Sequence, residues 1–153
     1  MRRKDKEIKE PNTVSEILTR AMICRVAFFD EEYPYVVPMN YGFKNNALYF
    51  HCAKEGKKLD LIRRNNKVSF VIEEAHEILR NEDSCKWTTR YRSVMGFGKM
   101  NIVTDFKEKT EGLDIIMSHH GKTDNQYSEK VVDSVVILKL EIEKLSAKQS
   151  GKW

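Results

Sequence analysis

The chain has 153 residues, 41% hydrophobic and 33% charged, which is the make-up of one globular domain with a core rather than of a disordered or fibrous chain. Its 27 basic and 23 acidic residues leave a net charge of +4, too balanced for a dedicated nucleic-acid binder and compatible with an anionic small ligand. No apolar run approaches the ~20 residues of a membrane span and no apolar stretch follows the basic N-terminus, so no membrane segment and no secretory signal are expected, and the expected compartment is the cytoplasm.

One domain is expected over residues 1–153, with 1–11 and 146–153 as flexible ends. Thr13-Val14-Ser15-Glu16 reads as a capping box, which places a short helix from about residue 13 to 21. A strand is expected over 24–29, a turn at Asp30-Glu31-Glu32, and a strand over 35–43. Pro38 cannot donate to a ladder, so it belongs at an edge, a bulge or a ligand-facing position. Asn45-Asn46 reverses the chain, because asparagine tolerates the left-handed backbone of tight hairpins. A strand over 47–52, a helix over 57–64 and a strand over 67–73 follow. Residues 74–86 read as a loop. A long strand spans 87–103, in which Gly96 and Gly98 share one face and permit sharp curvature or close packing. A helix over 106–119, capped by Thr104 or Asp105, leads to a polar loop and a last strand over 131–145, where Val136, Leu138, Leu140 and Ile142 alternate with polar residues. The expected fold is mainly β: six antiparallel strands in a small closed or split barrel, with three short helices.

The strongest chemical signal lies at the start of the 57–64 helix. Gly56 precedes Lys57 and Lys58, and a helix N-terminus offers free N–H groups and the positive end of the dipole to an anion such as a phosphate. The alternative is a solvated helix start. His51 ends the strand six residues earlier, either facing a ligand whose phosphate sits at that helix or standing as a half-exposed strand-end histidine. Arg90, Arg92 and Ser93 give the long strand a polar start that suits a ligand, a partner subunit or solvent. Cys24, Cys52 and Cys85 form no C-x-x-C and no even framework, so Cys24 and Cys52 are expected as buried free thiols. The four histidines show no metal spacing, and no metal is expected; His119 and His120, at a helix end, read as structural. Signatures of a serine nucleophile, a P-loop and a Rossmann fold are absent.

The runs CRVAFFDEEYPYVVPMNYGF, LYFHCAKEGKKLDLIRRN and KWTTRYRSVMGFGKMNIV, in this order, resemble the flavin-binding split-barrel proteins related to pyridoxamine 5′-phosphate oxidase, and within them the nitroimidazole-resistance (Nim-type) reductases. The resemblance covers residues 8–145. It implies a six-stranded split barrel acting as a homodimer, with flavin sites at the subunit interface. The cofactor implied is FMN, with FAD as the alternative. Lys57 and Lys58 would hold its phosphate. Val36, Val37, Pro38, Met39, Asn40, Tyr41, Phe50 and His51 would lie along its ring and ribityl chain. Ser93, helped by Arg92, would reach the flavin from the partner subunit. His51 would act at the substrate, donating a proton or orienting a small aromatic acceptor such as a nitroimidazole. The arginine and histidine motif that binds substrate in true pyridoxamine phosphate oxidases is not evident in EKLSAKQSGKW, so vitamin B6 phosphate is not the expected substrate. The competing readings are a non-catalytic flavin-binding protein and a haem-binding split barrel; turnover with a nitroaromatic separates the first, and a Soret band on haem titration identifies the second.

Overall fold

The computed structural model describes residues 3–153. Residues 1–2 of the expected N-terminal arm lie outside them. The rest of that arm forms a 3-10 turn over Lys4–Lys6 and a short strand β1 (Glu7–Ile8), and Ile8 is buried. Helix α1 (Pro11–Arg20) begins before the expected capping box: Glu10 is the N-cap and Pro11 opens the helix. Proline has no N–H to leave unsatisfied there and its φ is already helical, so it outcompetes Thr13 as the starting point.

Strands β2 (Ile23–Phe28) and β3 (Tyr35–Asn40) pair antiparallel across the acidic turn. The strand expected over 35–43 is broken at Tyr41. Its second part is a separate strand, β4 (Gly42–Lys44), which pairs with β5 (Ala47–Cys52) instead. Asn45 and Asn46 both have positive φ, 50° and 57°, as a tight hairpin between β4 and β5 requires. Helix α2 (Lys57–Arg64) follows, then β6 (Lys67–Leu79) and β7 (Thr88–Val103). The expected loop over 74–86 is therefore strand as far as Leu79, with a bulge between Glu74 and His76 and a 3-10 turn over Ser84–Lys86.

Helix α3 (Phe106–His119) is capped by the Asp105 carboxylate, which accepts from the Glu108 N–H at 2.9 Å. Residues 131–134, expected as the start of the last strand, belong instead to helix α4 (Glu129–Ser134). The last strand, β8 (Val136–Ser150), runs on through residues set apart in sequence as a tail and pairs with both β7 and β1.

The sheet has eight strands among the described residues, in the order β3-β2-β6-β7-β8-β5-β4, with β1 added beside β8. All pairings are antiparallel. The sheet curls so that its two edge strands, β3 and β4, are neighbours in the chain, joined only by Tyr41. This is a split barrel: β3 and β5 face each other without a ladder. β7 slips register against β8 between Phe97 and Gly98, a bulge of the kind that bends a strand. A Cβ at Gly98 would collide with the Glu141 carbonyl oxygen, so the bulge needs glycine. Inside, Val26, Phe28, Leu48, Phe50, Ile72, Val94, Leu138 and Leu140 form the core, closed by Ile17 and Leu18 of α1 and Leu59 of α2. Cys24 and Cys52 are buried free thiols and Cys85 is exposed.

Candidate functional site

The opening of the split barrel is itself a cleft of about 480 Å³. Val37, Pro38, Met39 and Asn40 of β3 form one wall, His51 and Cys52 of β5 the other, and Lys58 of α2 stands at its end. Pro38 suits this place because β3 is an edge strand with no neighbour across the split. Val37 and Met39 turn toward the core and make the floor apolar, while His51 is exposed at the rim.

The N-terminus of α2 is open. Gly56, at φ 132°, is the N-cap, and no side chain caps the first turn. A Cβ at Gly56 would meet nothing within 4 Å; the Leu59 N–H donates to the Gly56 carbonyl at 2.9 Å, which leaves the N–H groups of Lys57 and Lys58 as the uncapped ones of the first turn. Lys57 and Lys58 diverge from this point. Lys58 lines the cleft with His51. Lys57 turns the other way: its Nζ is 2.7 Å from Asp30 Oδ2 and lies 5.1 Å from the centre of the Tyr35 ring. Asp30 Oδ1 accepts from the Glu31 N–H at 2.9 Å. The Lys57 hydrogen bond, followed by the one from the Glu31 N–H, holds the Asp30 carboxyl below the usual carboxylate range.

Of the residues expected at a flavin, Val37, Pro38, Met39, Asn40, His51 and Lys58 are thus brought together. Tyr41 and Phe50 are not: both are fully buried, and the Tyr41 hydroxyl donates to the Leu18 carbonyl at 2.7 Å. Burial pushes the Tyr41 hydroxyl pKa well up, so it stays protonated. Val36 is exposed, by strand alternation on the same face as Pro38 and Asn40, but does not line the cleft. The same alternation separates Arg92 from Ser93. Ser93 lies on the outer face, in a second cleft that shares no lining residue with the first. Arg92 lies on the other side, bonded to Gln149 Oε1 at 3.3 Å, 3.9 Å from both Glu74 and Glu16, and 4.2 Å from the centre of the Trp153 ring. Asp30 was read only as a turn residue. The signal that could have singled it out is charge: the acidic turn 30–32 faces the basic helix, with Arg64 also 3.7 Å from Glu31.

Fold and cleft together define a split barrel with an open cleft beside its edge strand β3. The chain belongs to the pyridoxamine 5′-phosphate oxidase family, whose sequence model matches residues 10–149. It is similar to the crystal structure of a candidate 5-nitroimidazole antibiotic resistance protein from Bacteroides thetaiotaomicron, with 34% identity, a TM-score of 0.84, and coverage of 94% of this chain and 86% of that one. A flavocytochrome from Azotobacter vinelandii has the same fold at 16% identity and TM-score 0.84, covering 99% of this chain and 72% of that one. So does a FAD-binding protein from Mesorhizobium loti, at 21% identity and TM-score 0.67, covering 93% and 96%. These two likenesses speak for the fold alone. Among curated proteins, none matches the sequence significantly.

Proposed function

We propose that this protein is a flavin-dependent oxidoreductase that reduces small aromatic acceptors, nitroimidazole-like compounds among them. The observation that carries the reading is the convergence of Lys58, the uncapped start of α2 and His51 on one apolar-floored cleft at the barrel split. The donor set fits the cofactor: a cation and free N–H groups suit a phosphate, and a β-strand wall suits the flat face of a ring. FMN is the favoured form. The family match and the 34% identical relative support the reading of an oxidoreductase acting on nitroimidazole-like acceptors, not the choice between FMN and FAD.

In this reading the flavin supplies the redox chemistry. Lys58 and the first-turn N–H groups hold its phosphate. Val37 and Met39 exclude water from one side of the cleft. His51, at the rim, orients an acceptor and delivers a proton from its imidazole nitrogen. Ser93 faces out from the sheet, in a cleft separate from that of His51, so the two serve one flavin only across a pair of chains. That favours a homodimer, and the outer face carries the apolar surface for it: Val36, Met95 and Phe97 are 56%, 50% and 51% exposed.

The absorption spectrum of the purified protein, with mass spectrometry of any released cofactor, tests the reading first. A yellow flavin spectrum, present as isolated or after FMN addition, is expected. Reduction by NADH or NADPH and reoxidation by a nitroimidazole in stopped flow then separate a reductase from a protein that only binds flavin. No flavin spectrum after addition of FMN or FAD overturns the proposal, and a Soret band on haem titration would put haem in its place.

A further inference from the structure

Val135, the residue between α4 and β8, lines the cleft at the barrel split beside His51 and Ala53. Register brings it there. β5 pairs with β8 through His51–Ile137 and Cys52–Val136, and Val135 is the next residue, where the ladder ends and the cleft opens. Its backbone is extended, at φ -121° and ψ 156°, so it continues the line of β8. Strand alternation then sets Val135 on the face of Ile137, which is also the face of its ladder partner His51.

Val135 cannot retreat from the cleft. Behind it stands a small second core, in which Val135, Tyr49 and Leu113 pack against Val103, Ile116 and Ile137. Helix α3 presses on this core so closely that a Cβ at Gly112 would lie 2.7 Å from Ile137 Cγ2. Earlier in the chain, fully buried Val132 anchors α4, and the Ser134 hydroxyl donates to the Val131 carbonyl at 2.7 Å. A β-branched side chain is stiff at χ1 and a packed core yields little, so Val135 is a fixed wall. The whole cleft, about 480 Å³, falls in the lower half of the range of small-molecule sites. With a ring against β3, as the flavin reading has it, the β5 side keeps a narrow slot bounded by His51 and Val135.

We propose that Val135 sets the size limit of the electron acceptor, admitting a single nitro-substituted ring beside His51 and rejecting a fused bicyclic one. The inference rests on the flavin reading and adds a specificity residue to the same site. The probes are 5-nitroimidazole and 5-nitrobenzimidazole, titrated by calorimetry into the oxidised, FMN-loaded full-length protein, where binding is read without turnover. The wild type should hold the single ring about tenfold more tightly than the bicyclic compound. Val135→Ala should move that ratio about tenfold toward the bicyclic compound, the discrimination that a methyl or two supplies in an apolar pocket. Val135→Ile, a methylene larger, should weaken both compounds. Val131→Ala, at an exposed position on α4, should change neither. FMN affinity, read by flavin fluorescence on the same samples, should stay unchanged throughout. A gain for the bicyclic compound cannot come from a damaged fold, which separates a size limit from mere destabilisation. Equal ratios in the wild type and Val135→Ala, with FMN bound, overturn this inference and leave the flavin reading standing. A protein that takes no flavin overturns that reading and this inference with it.

Discussion

Lys57 is held by Asp30, Nζ to Oδ2 at 2.7 Å, so the two adjacent lysines that open α2 are not equivalent. One faces the cleft and the other is tied to the β2–β3 turn across the barrel rim. Lys58→Ala should therefore weaken FMN binding about tenfold, and Lys57→Ala clearly less. Asp30→Asn should act in the opposite direction. Asparagine keeps the oxygen that accepts from the Glu31 N–H but gives up the charge, freeing Lys57 to turn toward a phosphate. Tighter FMN binding is expected, with the gain fading as salt rises. Titration by flavin fluorescence checks all three variants; weaker binding in Asp30→Asn would show that Asp30 positions Lys57 for the phosphate rather than withholding it.

His119 ties α3 to the end of α1. Its Nε2 donates to the Ala21 carbonyl at 2.8 Å, and its ring lies 4.6 Å from that of Tyr41. Burial lowers its pKa; the Ala21 hydrogen bond opposes this in part and His120 adds to it. The unfolded chain, with a histidine pKa of about 6.5, then takes up the proton before the folded one does. Stability from this group is complete above about pH 6.5, falls as the pH drops toward the folded pKa, and levels off below it. His119→Gln retains an N–H donor but cannot titrate. Urea midpoints measured from neutral to mildly acid pH should decline for the wild type and stay flatter for the variant; parallel declines would place the pH sensitivity elsewhere.

Two glycines make separable demands. Gly98→Ala drives a methyl into the Glu141 carbonyl and should destabilise the sheet by about 1–3 kcal/mol. Gly56→Ala meets no neighbour, but its φ of 132° strains any other residue, by about 1–3 kcal/mol at the start of α2. Denaturant midpoints should fall in both. FMN affinity should fall only in Gly56→Ala, because Gly98 lies in the β7–β8 ladder and not at the barrel split. Affinity lost equally in both would mean that the phosphate is not held at α2.

The sequence made some of this legible and hid the rest for identifiable reasons. Asn45-Asn46 forces a hairpin by backbone chemistry alone, and the α2 start announces itself by Gly56 and its lysines. The break at Tyr41 is silent, because no turn or breaker cluster marks it in the sequence and only the change of hydrogen-bonding partner divides the run. Residues 74–79 looked like loop because that part of the hairpin stands clear of the core and shows little of the apolar alternation by which strands are read. Val131 and Val132 suggested strand, yet Val132 is buried on a single helical turn. At the site, the convergence of His51 and Lys58 follows from a hairpin leading into a helix. The grip of Asp30 on Lys57 joins residues distant in sequence and appears only once the barrel closes.

Phe97 offers the sharpest test of the dimer. It stands half exposed on the outer face, and Met95 shares that face two residues earlier on β7. A side chain of that size gains by leaving water only if something covers it, at about 25 cal/mol per Å² of apolar area. If a second chain does so, Phe97→Glu buries a charge against an apolar face and should split the dimer without unfolding the barrel, since the side chain is outside the core. Sedimentation velocity should report a dimer for the wild type and a monomer for the variant, with unchanged circular dichroism. Flavin affinity should fall with the dimer, because Ser93 could then reach no flavin. A variant that stays dimeric, or a wild type that is monomeric at micromolar concentration, would remove the second chain from the site and leave the barrel split to hold its ligand alone.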